Sequence, residues 1–157
     1  MKKIDVAALG EFRGTRYPAP YDAPCRDREW KALGAAADLT AFGVNLLRLK
    51  PGVWSSQRHW HALEDEFVYV LEGAVTLVTD AGREALAAGD CAGFKAGDKD
   101  GHHFINESSA DVVLLVVGSR DDSDYGEYPD IDMRFKSGRY SGGGGFETKS
   151  GKPIGSE

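Results

Sequence analysis

Histidine is concentrated at two places in this chain, and both could contribute ligands to a metal ion. His59 and His61 are separated by one residue, and Glu66 follows them closely. His102 and His103 form the second pair, and no other histidine occurs in the sequence. Neutral imidazole is the commonest metal ligand in proteins, and imidazole combined with carboxylate suits divalent transition metals. These residue types and their spacing therefore predict a metal site.

The expected local structure brings these groups together. Side chains alternate between the two faces of a strand, so we expect His59 and His61 to point to the same side. A hairpin at residues 62–65 would bring Glu66 alongside them, and His102 opens another predicted strand. Three imidazoles and one carboxylate leave one or two coordination positions for water or substrate. Each cluster alone is more typical of solvated polar residues, and it is their combination that indicates a metal.

The elements around the histidines are predicted to be β-strands. Runs of β-branched and aromatic residues, separated by glycine-containing turns, predict strands over 42–49, 66–71, 74–79, 83–86, 91–94, 103–106 and 112–118. Many short strands with no helix between them are typical of an all-β antiparallel sandwich or barrel. Several of these strands are apolar on both faces, which predicts a filled interior and a second covered face, as in a homodimer.

Both ends of the chain are expected to be less regular. The prolines within 16–24 exclude a helix interior there, so an extended N-terminal arm is predicted, with one weak helical turn within 26–37. The glycines of 141–145 predict a flexible C-terminal surface tail. The predicted division is an arm over 1–40, a barrel core over 41–120 and a C-terminal extension over 121–157.

Length and charge limit the classes of function. A chain of 157 residues with 41% hydrophobic residues suits one domain that buries its own core. A net charge of −6 argues against nucleic acid or an anionic membrane as the main partner. No apolar run approaches the ~20 residues of a membrane-spanning helix. No signal peptide is apparent, so a cytoplasmic protein is expected, with Cys91 as a buried thiol.

The spacing of these residues resembles the two sequence motifs of the cupin superfamily. The first motif, a glycine, His-x-His, a glutamate and a second glycine, is matched by Gly52, His59, His61, Glu66 and Gly73. The second motif, a glycine, Pro-x-Gly, a histidine and an asparagine, is matched by Gly89, Lys95-Ala96-Gly97, His102 and Asn106. Lys95 stands where the motif has proline, and the spacing before His59 and His102 is longer than usual. These departures fall in predicted turns, where insertions cost little.

The resemblance covers residues 17–132 and is strongest to small, single-domain bacterial cupins whose reaction is unassigned. It implies a double-stranded β-helix, also called a jelly roll or cupin barrel. It also implies one divalent metal ion, Fe, Mn, Ni, Zn or Cu, with the ligands His59, His61, Glu66 and His102. Four further residues are candidates to lie around these ligands: Gln57, Tyr69, His103 and Asn106. His103 is expected either there or at the surface, because it points away from His102 in a regular strand.

Three functions remain open from the sequence. The first is a metal-dependent enzyme that acts on a small oxygenated molecule, as a dioxygenase (an oxidoreductase), a decarboxylase or an isomerase. The second is a sensor that binds a small molecule without converting it. The third is a metal-free sugar-binding or epimerase-like barrel. The ligand set does not separate them, because a fold does not fix a function. In each case the expected partner is a small-molecule ligand or substrate, with neither nucleic acid nor membrane, and no residue is assigned to proton transfer.

Overall fold

The computed structural model describes residues 3–155, and β-strands dominate them. In chain order the strands are β1 (Phe12–Arg13), β2 (Glu29–Ala32), β3 (Phe42–Leu49), β4 (Glu66–Glu72), β5 (Ala74–Thr79), β6 (Gly82–Ala87), β7 (Cys91–Phe94), β8 (His103–Ile105), β9 (Val112–Ser119), β10 (Gly126–Tyr128), β11 (Met133–Phe135), β12 (Phe146–Glu147) and β13 (Pro153–Ile154). The helical elements are a 3-10 turn at Ala23–Cys25 and the short helix α1 at Leu33–Ala36. None of the helices described is long and apolar enough to cross a membrane.

The strands form three antiparallel sheets, two of which make the barrel. One has the order β1-β2-β3-β9-β4-β7, and the other has the order β6-β5-β8. The seven strands predicted from residue 42 to residue 118 are all present, and their bounds agree with the prediction to within one residue. The all-β barrel of the double-stranded β-helix type is therefore confirmed.

The barrel core lies between these two sheets. Leu49, Val70, Val112 and Leu114 have no exposed surface. Alternation along β4 puts Val68 and Val70 on this inner face. The same alternation leaves three large side chains of the strand 37–42% exposed on the outer face: Phe67, Tyr69 and Leu71. The outer face is the one predicted to be covered in a homodimer, and the homodimer stays a prediction.

The N-terminal arm is more regular than expected. Within 26–37, where a helical turn was predicted, the structure has strand β2 first and helix α1 only at the end. β2 pairs with β3, so that Trp30 lies opposite Leu47 and packs against the core. The free edge of β3 offers unpaired backbone groups, and a strand satisfies them better than a helical turn does. The division at residues 40 and 120 stays a prediction.

The C-terminal extension folds into a small sheet of its own. β10, β11, β12 and β13 form it in chain order, around the buried side chains of Tyr128, Met133 and Phe135. Residues 141–145 are exposed, as predicted, but they belong to a hydrogen-bonded turn. In that turn the amides of Gly143 and Gly144 both donate to the carbonyl of Gly138 at 2.9 Å. The extension is therefore part of the packed structure.

The prediction for Cys91 is wrong. Cys91 is exposed, whereas Cys25 is buried. Cys91 begins β7, which is the last strand of the six-stranded sheet, and lies opposite Tyr69 on the outer face. The side chain therefore points away from the core.

Candidate metal centre

Three imidazoles converge on one carboxylate oxygen at one end of the barrel. Oε2 of Glu66 lies 2.9 Å from Nε2 of His102, 3.4 Å from Nε2 of His61 and 3.5 Å from Nε2 of His59. The structure thus brings together the four side chains that the sequence indicated. Their ligand atoms are close enough for His59, His61 and Glu66 to hold one ion.

The backbone that carries the histidines differs from the expectation. His59 and His61 do not lie on a regular strand, and His102 precedes β8 instead of opening it. His59 and His102 form an isolated backbone bridge, in which each amide donates to the other residue's carbonyl at 3.2 and 2.9 Å. The amides of Trp60 and Ala62 donate to carbonyls of residues 125–127 in the extension instead of to a neighbouring barrel strand. The alternation of side chains survives, because the local backbone remains extended.

Hydrogen bonds at Nδ1 select the tautomer of two histidines. Nδ1 of His59 donates to the backbone carbonyl of Gln57 at 2.9 Å. Nδ1 of His61 donates to Oδ2 of Asp124 at 2.7 Å. Each ring then carries its lone pair on Nε2, the nitrogen that faces Glu66. A histidine whose outer nitrogen donates to a carbonyl or carboxylate is the usual form of a metal ligand.

His102 is oriented differently. Its ring stacks on Phe94 with a centroid separation of 3.4 Å, and its Nδ1 is buried without a hydrogen-bond partner among residues 3–155. Stacking on Phe94 and the contact of Nε2 with Glu66 therefore orient this ring, whereas hydrogen bonds at Nδ1 orient the rings of His59 and His61.

The protonation states also fit a metal. Burial lowers the pKa of His59 to about 4, so this ring is neutral at physiological pH. Burial acts to raise the pKa of Glu66, but the hydrogen bond from His102 and the close approach of His59 and His61 hold it well below its usual range. Neutral imidazole and ionised carboxylate are the forms that bind divalent ions. The donor set therefore fits a divalent metal ion.

A second buried cluster adjoins the first and was not anticipated. His61, Glu64 and Asp124 are close enough together to hold an ion. However, Nη2 of Arg139 lies 2.5 Å from Glu64 and 3.0 Å from Asp124. The guanidinium supplies the positive charge that these two carboxylates need. The one sequence signal that could have found Glu64 and Asp124 is that a buried His61 needs an acceptor.

A cavity of about 940 Å³ opens in front of the histidines. Among the described residues, its charged walls carry two carboxylates, Glu64 and Glu66, and five basic side chains: Arg16, Arg28, Arg120, Lys136 and Arg139. Arg28 donates to the carbonyls of Gly14 and Ser55, at 2.8 and 2.5 Å, and no ion pair to a carboxylate joins it within residues 3–155. The cavity is thus rich in positive charge although the chain carries a net charge of −6.

The four side chains expected around the ligands have other roles. Gln57 donates to the carbonyl of Tyr21, and only its backbone contacts His59. Tyr69 is on the outer face of β4, because it lies between Val68 and Val70, which point inward, and side chains alternate along a strand. His103 is buried with its ring edge-on to Trp54 and is not at the surface. Asn106 is fully buried, bonded to the carbonyls of Leu49 and Ala110. The predictions for Tyr69 and Asn106 are therefore corrected, and so is the surface alternative for His103, whereas a place for His103 around the ligands stays a prediction.

The fold and the donor set together define a β-barrel protein with a candidate transition-metal site. Residues 45–118 match the cupin domain family. A sugar phosphate isomerase of the cupin superfamily from Silicibacter pomeroyi is 42% identical, with a TM-score of 0.93 over 98% of this chain and 96% of that one. The chain therefore belongs to the cupin superfamily.

Two further solved structures extend the comparison. A candidate sugar phosphate isomerase from Acidithiobacillus ferrooxidans is 31% identical, with a TM-score of 0.74 over 83% of this chain and 82% of that one. A polyketide cyclase from Streptomyces resistomycificus, 21% identical, shares the fold with a TM-score of 0.62 over 77% of this chain and 80% of that one. A search of curated proteins gave no match.

Proposed function

We propose that this cupin is a metal-dependent isomerase that acts on a small phosphorylated sugar. The observation that carries the proposal is the position of the donor set, which faces a cavity whose basic side chains outnumber its carboxylates in an otherwise acidic chain. A neutral substrate would not need such a wall, whereas a phosphate monoester is bound well by arginine. The names of the relatives from Silicibacter pomeroyi and Acidithiobacillus ferrooxidans support the same substrate class.

The proposed ligands of one divalent ion are His59, His61, Glu66 and His102. A divalent ion held by these residues would supply Lewis-acid chemistry, which polarises oxygen atoms of a bound sugar. The proposed contribution of the chain is to hold these ligands in the correct protonation state and to orient the sugar.

Proton transfer is assigned to Glu66. Isomerisation moves one hydrogen between neighbouring carbons and one between their oxygens, so no oxidant or reductant is needed. Of the two carboxylates in the cavity, Glu64 is bonded to Arg139, Tyr140 and the amide of Asp121. The described contacts of Glu66 all use Oε2, which leaves Oε1 to take the proton from one carbon and return it to the next.

Arg28 is the proposed phosphate contact. It lines the cavity, and the hydrogen bonds to Gly14 and Ser55 hold its guanidinium in place without neutralising it. Because no carboxylate among residues 3–155 pairs with Arg28, its guanidinium is available to pair with an anion.

The test is conversion of sugar phosphates by metal-loaded protein, followed by NMR. Aldose and ketose phosphates with five and six carbons are to be compared with the unphosphorylated sugars. We expect isomerisation of a phosphorylated sugar alone, lost in His59→Ala and His102→Ala and retained in His103→Gln, a histidine outside the cluster. Stabilisation by a sugar phosphate without conversion would contradict the proposal and favour a binding protein. Turnover unchanged in both alanine variants would also contradict it.

A further inference from the structure

We infer that Arg139, in the C-terminal extension, is a positioning residue for the metal centre and acts on His61 through Asp124 and Glu64. The inference rests on the proposed metal site but not on the proposed reaction. It assigns to the turn of residues 138–145 a role in holding the ion, although the turn contains none of the proposed ligands.

The contacts form one chain from the extension to the ligand. Nη2 of Arg139 donates to Oε2 of Glu64 at 2.5 Å and to Oδ2 of Asp124 at 3.0 Å. Oδ2 of Asp124 in turn accepts the Nδ1 proton of His61 at 2.7 Å. The same oxygen thus joins the guanidinium to the imidazole. Carboxylate partners of ligating histidines fix the orientation of the ring and raise its basicity.

The burial of the two carboxylates makes the guanidinium necessary. The side chain of Glu64 is 5% exposed and that of Asp124 is fully buried. Tyr140 and backbone amides of Leu63 and Asp121 also donate to these carboxylates, but they bring no charge. Without Arg139, two buried negative charges would remain uncompensated beside His61. Uncompensated buried charges strongly destabilise the folded state.

The turn that carries Arg139 is built to place it. Gly138 has a φ of +89°, and its amide donates to the carbonyl of Asp122 at 2.7 Å. The carboxylate of Asp122 accepts from the amide of Tyr140 at 2.8 Å. The guanidinium then lies over the ring of Phe135, 4.6 Å from its centroid. Backbone bonds on one side and an aromatic ring on the other therefore hold the side chain over the carboxylates.

The experiment measures zinc affinity of the full-length protein by competition with a chromophoric chelator. We expect Arg139→Met to bind Zn²⁺ about 10- to 100-fold more weakly, the range for residues that support metal ligands. Arg139→Lys should recover part of this loss, because it keeps a positive charge near both carboxylates. Asp124→Asn should lose as much as Arg139→Met, and the double variant should lose little more, because the two act in one chain.

The matched control is Arg134→Met, also in the extension. Arg134 pairs with Glu147 at 2.7 Å, and neither the proposed ligands nor Glu64 and Asp124 are among its ion-pair partners in residues 3–155. We expect its zinc affinity to equal that of the unmodified chain. The Co²⁺ absorption spectrum provides a second measurement, and it should change in Arg139→Met and not in Arg134→Met.

Equal losses of zinc affinity in Arg139→Met and Arg134→Met would overturn the inference, since they would indicate general loosening of the extension. Unchanged affinity in Arg139→Met would overturn it too. Zinc binding that survives in His59→Ala would show that the proposed ligands are wrong. None of these measurements contains a sugar, so a failure of the proposed isomerase reaction would leave them unaffected and would be recognised separately.

Discussion

The barrel and the C-terminal extension contribute to the candidate metal centre in different ways. The barrel supplies the proposed ligands and supports them on a large apolar core that includes Leu49 and Leu114. The extension has a smaller core, of which Met133 is the fully buried member. It supplies charge and hydrogen-bond partners through Asp124 and Arg139. For His61, therefore, the ligand and the group that orients it come from separate parts of the chain, whereas Gln57 and Phe94 orient His59 and His102 without the extension.

Polar contacts join the two regions beside the ring contacts of His61 with Phe135 and of Trp60 with Tyr125. Arg58 makes a bidentate ion pair with Asp130, with both N–O distances at 2.8 Å. The backbone amides of Trp60 and Ala62, on either side of His61, donate to carbonyls at Glu127 and Tyr125. Polar contacts depend strongly on geometry, so a small shift of the extension changes the environment of His61 before it changes the barrel.

Removal of the metal has the largest expected effect and concerns the barrel's contribution. Treatment of the metal-loaded protein with a strong chelator should abolish isomerisation, and readdition of the ion should restore it. The fold should persist, because a chain of this size buries enough apolar surface without a structural metal. Elemental analysis and circular dichroism check the two halves of this expectation. Loss of the β-sheet signal on chelation would show that the ion is structural.

Substitutions in the barrel core are expected to have the next largest effect, and this effect is on stability. Leu114→Ala should lower the free energy of unfolding by about 2–5 kcal/mol, because it removes a fully buried side chain and leaves a cavity. Met133→Ala opens a cavity in the smaller core of the extension, and the decrease in the free energy of unfolding should lie at the lower end of this range. Hydrogen exchange should then show faster opening of β10–β13 while β3 and β9 stay protected. Equal acceleration in both regions would show that the barrel and the extension unfold as one unit.

Substitution of Arg28 in the wall of the cavity is expected to have a moderate effect, which is on substrate binding. Arg28→Met should raise KM for the phosphorylated sugar about 10-fold, equivalent to about 1.4 kcal/mol of binding free energy, and change kcat little. The reason is that Arg28 is proposed to contact the phosphate and not the reacting carbons. Steady-state kinetics with matched phosphorylated and free sugars measure it. A fall in kcat with unchanged KM would place Arg28 in a different role.

The ion pair between the two regions has the smallest expected effect. The hydrogen bonds from Arg58 hold the pKa of Asp130 below its usual value. A carboxyl whose pKa is lower in the folded chain stabilises the fold above its unfolded pKa, about 3.9, and this stability is lost as the pH falls through the folded value. Asp130 is 60% exposed, so solvent screening limits the contribution to about 0–1 kcal/mol. Asp130→Asn should therefore flatten the acid side of the stability profile slightly, as urea titrations between pH 2 and 7 would show.

The sequence predicted the barrel and the four proposed ligands because each strand, and each of the two motifs that contain the ligands, is a pattern within a short segment. Strand periodicity is visible within a few residues, and the His-x-His and Glu66 spacing lies within one short segment. The contacts of Asp124 and Arg139 are between residues far apart in the chain, so no local pattern shows them. Tyr69 is a different case: counting alternate positions from Glu66 already places it on the opposite face of β4. The homodimer and the cytoplasmic location stay predictions.

The backbone bridge between His59 and His102 has a consequence for how this scaffold could diversify. Two main-chain hydrogen bonds set how far apart these two attachment points lie, and no side chain takes part in them. Replacement of either imidazole by another donor side chain would therefore leave the backbone position of that residue unchanged. A framework of this kind can change its ion or its chemistry by point substitution, without rebuilding the walls around it.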